Sequence, residues 1–114
     1  MQTNMNQPKT YCNGQILIDL APFEARPSHW VDAPKVMRPD GAVLVDLTQT
    51  FWDLQSVAES PAEVALTLRR YPGDRGSAVA RIVVASGEID VEGELTPAPE
   101  VVRCLEAHYQ SAKH

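Results

Sequence analysis

Cysteine is scarce in this chain: Cys12 and Cys104 are the only two in 114 residues. Two cysteines so far apart form neither a disulfide framework nor a zinc module built on closely spaced pairs. Both are expected to be reduced, with Cys104 lining a helix–sheet core as a small apolar residue. Long apolar runs are missing too. The sequence therefore offers no candidate for a bilayer-spanning helix, and no membrane partner is expected. Met1 to Lys9 is polar and lacks the hydrophobic stretch of a signal peptide. Residues 1–10 read as a disordered tail, and a cytoplasmic location is the expectation. Basic residues are outnumbered, ten Lys and Arg against fifteen Asp and Glu, for a net charge of −5. Proteins that grip nucleic-acid phosphates have the opposite balance, so no nucleic-acid partner is expected. Also absent are a glycine-rich phosphate loop, a nucleophile elbow, a HExxH helix and the aromatic signature of an RNA-binding sheet.

What is present is the composition of an ordinary globular protein, 44% hydrophobic and 22% charged. The length suits one domain with a modest core, spanning residues 11–114.

The segment from Glu63 to Ser111 carries the clearest pattern. Val64, Leu66 and Leu68 alternate with Ala65, Thr67 and Arg69, which is the period of a half-buried strand. Pro72-Gly73-Asp74-Arg75-Gly76 breaks the chain. A second run, Ala78 to Val84, ends at Ser86-Gly87, read as a two-residue hairpin turn, and a third runs from Glu88 to Leu95. These turns place Val84 opposite Ile89, Ile82 opposite Val91 and Leu66 opposite Ile82. Leu66, Ile82 and Val91 then share one buried row, and Arg81 faces Glu92 on the outer side. After the third strand, Thr96 is a candidate helix cap with Pro97 and Pro99 in the first turn. Ala98, Val101, Val102, Leu105 and Tyr109 recur at helical spacing, and the small residues Ala80 and Gly93 mark where this helix would cross the sheet.

In the N-terminal half, Gln15 to Leu20 follows an Asn13-Gly14 turn signal and reads as a strand, as does Ala42 to Leu47. The likeness of Leu17-Ile18-Asp19-Leu20 to Leu44-Val45-Asp46-Leu47 is too short to be a repeat. Phe51, Leu54, Gln55 and Ala58 lie at helical spacing, predicting a short helix near residues 50–58 that ends at Ser60-Pro61. The fold class expected is α+β: an antiparallel or mixed sheet of about five strands, a C-terminal helix on one face and this shorter helix.

Residues 22–40 have no periodicity and contain Pro22, Pro27, Pro34 and Pro39. They read as a long ordered loop, held by Phe23 and Trp30, of the kind that carries function. Arg26, His29, Trp30 and Asp32 are its candidate partner- or ligand-binding residues. The acidic series Glu88, Asp90, Glu92 and Glu94 would line one strand face, read as solvated and as a guard against edge pairing. Arg69, Arg70, Arg75 and Arg81 read as surface charge. No catalytic residue, metal ligand or cofactor is assigned. The leading expectation is a small non-catalytic protein-interaction module, of the inhibitor, immunity or accessory-subunit kind, with a protein partner or self-association such as a homodimer. The alternatives are a small-ligand-binding protein or enzyme with its pocket under residues 22–40, and an acidic DNA-mimicking inhibitor.

Overall fold

Asn13 and Gly14 turn the chain as their side chains allow: Cys12, Asn13 and Gly14 all have positive φ, at 54°, 58° and 82°. The computed structural model describes residues 9–27, 29–71 and 76–111. Strand β1 (Lys9–Tyr11) enters that turn and β2 (Ile16–Arg26) leaves it. The chain continues through β3 (His29–Met37) and β4 (Val43–Asp46), giving a four-stranded antiparallel sheet in the order β1-β2-β3-β4. A second antiparallel meander follows, with β5 (Trp52–Glu59), β6 (Glu63–Arg70), β7 (Ala78–Val83), β8 (Ile89–Val91) and β9 (Glu94–Thr96) in sequential order. A 3₁₀ turn at Ala98–Glu100 leads into helix α1 (Val101–Ser111). The α+β class and the helix against the sheet agree with the sequence reading. The expected tail is shorter at least by Lys9 and Thr10, which belong to β1; residues 1–8 lie outside the described residues.

The expected loop at 22–40 is instead a hairpin of two long strands. Pro22 sits opposite Asp32 and Pro34 opposite Leu20 within it. Among the described residues, β1 pairs with Ile16–Ile18 on β2, and β4 pairs with Lys35–Met37 on β3. Among the described residues Pro22 thus has a ladder partner on its β3 side alone, and Pro34 lies just past the β4 ladder, where its carbonyl accepts from the Leu47 N–H at 2.9 Å; both are positions a strand allows to a residue without an N–H.

The expected helix at 50–58 is strand β5. A bulge between Leu54 and Ser56 inserts one residue into its ladder with β6. Trp52, Leu54 and Val57 then stand opposite Arg70, Leu68 and Leu66, all on one face. The inserted residue breaks the two-residue alternation by which the sequence would have shown a strand.

In the second sheet the buried face is the one expected, but the register is displaced by two residues. Ile82 pairs with Val64 and Ile89, and Ala80 with Leu66 and Val91. Leu66, Ile82 and Val91 are all fully buried but do not form a single row. Strand faces repeat every two residues, so such a slip leaves the apolar pattern unchanged. Between β7 and β8 its source is the turn. Ser86-Gly87 belongs to a four-residue loop, closed by Val83 and Glu88, whereas Glu92-Gly93, with φ of 51° and 89°, makes the two-residue hairpin between β8 and β9. Arg81 consequently pairs with Glu63, at 3.5 Å, rather than Glu92.

One core joins the layers. Ile16, Ile18, Val36, Val45 and Leu47 from the first sheet and its exit pack with Trp52, Val64, Leu66, Leu68, Ile82 and Val91, and with Val101 and Leu105 of α1. The radius of gyration, 13.9 Å, is near the roughly 13 Å of a single domain of this length. No helix among the described residues is long and apolar enough to cross a membrane.

Candidate functional site

The β2–β3 hairpin changes its covered face along its length. Near its base, Ile18 and Val36 face the main core. Toward its tip the burial moves to the opposite set, Val31 and Ala33. The change falls at Ala33-Pro34, two consecutive buried residues. There the strand meets β5: the Asp32 N–H donates to Asp53 Oδ1 at 2.8 Å, and the His29 ring lies 6.0 Å from that of Tyr71. The outward face beyond this point holds Leu20, Pro22 and Glu24 on β2 and, opposite Pro22 and Glu24, Asp32 and Trp30 on β3; Leu20 stands opposite the buried Pro34. Trp30 is 59% exposed and Leu20 38%. Pro22, Glu24 and Asp32 are also exposed. The result is a strip with Trp30, Pro22 and Leu20 as apolar members and two carboxylates beside them.

Of the four residues singled out from sequence, Trp30 and Asp32 share this face, two residues apart on one strand. Arg26 and His29 pair across the hairpin end, after a bulge between Glu24 and Arg26. His29 leans on Tyr71, and its three-residue spacing from Asp32 puts the two on opposite faces of β3. Ser28 lies outside the described residues. The cleft described below is lined by other side chains, and a strand pair replaces the loop that was to roof a pocket.

A second polar group surrounds helix α1 and is fully engaged. Glu106 Oε2 accepts from Trp52 Nε1 at 2.9 Å and from Arg70 Nε at 2.8 Å. The Arg70 guanidinium lies over Phe51 at 5.3 Å and over Tyr109 at 4.8 Å. Its hydrogen bond to Glu106 holds its pKa above the usual guanidinium value. Trp52 meets Tyr109 edge to face, with ring centroids 6.3 Å apart. Arg70, one of the four arginines read as surface charge, is thus an internal tie between β6 and the helix; Arg75 lies outside the described residues.

The other side of α1 borders an open cleft of about 510 Å³ whose lining includes Glu94, Glu100, Arg103, Cys104 and His108. Cys104 does not simply line the core. Its Sγ is 3.8 Å from Glu94 Oε1, which is also 3.8 Å from His108 Nε2. All three donor atoms lie within 4.8 Å of one another. The sequence reading missed this group. Its one signal was the four-residue spacing of Cys104 and His108, which puts both on one helix face. Its third member arrives only through the β8–β9 hairpin.

That hairpin also disperses the acidic series. Asp90 Oδ1 accepts from the Gly93 N–H at 2.6 Å inside the turn, and Glu92 Oε2 accepts from the Val79 N–H at 2.6 Å, tying that turn to β7. Glu94 stands on the returning strand. The single acidic face on which DNA mimicry would rest is not formed. Cys12, the other thiol, is buried under the β5–β6 turn. Its N–H donates to Glu59 Oε1 at 2.7 Å, and burial followed by the Glu59 charge pushes its pKa up.

Comparisons of the chain with protein-family models, with curated proteins and with solved structures found no match.

Proposed function

We propose that this chain is a small non-catalytic protein-interaction module that docks through the outer face of the β2–β3 hairpin. The observation that carries the reading is Trp30, 59% exposed on a regular strand. Leaving an indole in water forgoes the burial that makes large aromatics stabilising, about 25 cal/mol per Å² of apolar surface. Tryptophan is also the residue most often found at the energetic centre of interfaces. Leu20 and Pro22 extend its apolar surface across the ladder. Glu24 and Asp32 beside them, on a chain of net charge −5, favour a partner surface with basic groups around an apolar recess. The hairpin needs little ordering on binding, because the strands and two prolines already hold it.

The test is site-specific crosslinking. A photo-crosslinking amino acid placed at position 30, in the cells that make the protein, should form an adduct with one defined protein or with a second copy of the chain. The same group at Gln55, exposed on β5, should not. Equal labelling from both positions, or none from position 30, overturns the reading.

A further inference from the structure

We propose that Glu94, Cys104 and His108 form a binding site for a thiophilic divalent cation of the zinc class, with its fourth coordination position open to the cleft. This is independent of the Trp30 face. The three donors are a thiol, an imidazole and a carboxylate, the set from which zinc sites are built. Cys104 and His108 stand one turn apart on α1, on the same face, and neither is fully exposed. Glu94 comes from the facing edge strand β9.

The distances are close to those the metal needs. Zinc bonds of about 2.0–2.3 Å put tetrahedral ligand atoms roughly 3.3–3.7 Å apart. Glu94 Oε1 is 3.8 Å from both Cys104 Sγ and His108 Nε2, and the set spans no more than 4.8 Å. Small side-chain rotations close that gap, and Glu94, with 70% of its side chain exposed, is free to make them.

Charge balance also suits a dication. Thiolate and carboxylate together carry two negative charges, and imidazole binds neutral. Binding sends the Cys104 thiol proton to solvent. The nearby cation does not compete, since Arg103 Nη2 is committed to Glu100 at 2.8 Å. Behind the sulfur, the buried Thr96 hydroxyl donates to the Glu94 carbonyl at 2.7 Å and lies 3.7 Å from Sγ. That places a polar group from the sheet against both ligand-bearing segments, the kind of outer contact that orients ligands. Three protein donors and an open fourth position match sites that take water or an incoming group, rather than closed four-ligand structural sites. The cleft leaves room for it.

The experiment uses the reduced full chain. Zinc affinity is measured by competition with a chromogenic chelator, and cobalt(II) serves as the spectroscopic probe. The proposal requires one ion per chain and a thiolate-to-cobalt charge-transfer band. Cys104→Ser should abolish the band and weaken zinc at least about tenfold, while Cys12→Ser changes neither. His108→Gln should weaken zinc by a similar factor and keeps the test decisive should Cys104→Ser fail to fold. Zinc binding no tighter in the wild type than in His108→Gln, or a charge-transfer band lost in Cys12→Ser instead, overturns the proposal.

Discussion

The two tryptophans occupy opposite situations. Trp52 is 1% exposed, with its indole N–H bonded to Glu106 and its ring against Tyr109. Trp30 is 59% exposed, on the far part of a hairpin whose buried contacts are made by Val31 and Ala33 instead. Both stand on strands, so secondary structure does not separate them. What separates them is whether the rest of the chain supplies a cover. For Trp52 it supplies a helix, a hydrogen-bond acceptor and a cation. For Trp30 the chain supplies none of these among its described contacts. The first tryptophan belongs to the fold, and the second is available to something outside it.

The largest effect should come from removing the covered one. Trp52→Ala deletes a filled core site and leaves Glu106 without one donor, and a loss of about 3–5 kcal/mol is expected in denaturant unfolding. A loss below about 1 kcal/mol would mean that Trp52 is no more structural than Trp30. Ile82→Ala sets the aliphatic standard on the same face. Ile82 is fully buried between Val64 and Ile89, so its truncation should cost about 2–4 kcal/mol by the same measurement. A smaller step follows from Glu106→Gln. The amide keeps an acceptor for the Trp52 indole but loses the charge facing Arg70, and about 1–2 kcal/mol is expected. If Tm does not move, the polar tie contributes nothing, and Trp52 is held by packing alone.

The same contrast explains how much the sequence disclosed. The second sheet was legible because Val64 to Leu68 and Ala80 to Ile82 alternate without interruption, and α1 because Val101 and Leu105 fall on its buried stripe. Register was not legible, since parity is blind to a two-residue slip and the tight turn lay at Glu92-Gly93. β5 read as a helix because Phe51, Leu54, Gln55 and Ala58 fall at helical spacing, while the bulge between Leu54 and Ser56 breaks the alternation of Trp52, Leu54 and Val57 that would have shown a strand. The first part of β2 was legible as a strand, but its outer part and β3 read as a loop because Pro22 and Pro34 break the usual strand signal, and because the covered face changes at Ala33-Pro34, which erases any single alternation. Trp30 and Asp32 could still be picked out within that segment, since an aromatic among prolines stands apart in any conformation. Glu94, Cys104 and His108 could not be joined from sequence, because Glu94 reaches the helix only after a hairpin where one continuous strand was expected.

Trp30→Ala is the most direct test, with thermal unfolding and binding to the crosslinked protein or second copy measured on the same preparation. Exposed side chains away from special features usually change stability by less than about 0.5 kcal/mol, so Tm should stay within about 4 °C of the wild type. Binding should weaken by at least about 2 kcal/mol, roughly thirtyfold, as for an interface centre. An unfolded variant would make Trp30 a second Trp52, and a stable variant that binds as well as the wild type would contradict the docking role of the hairpin face.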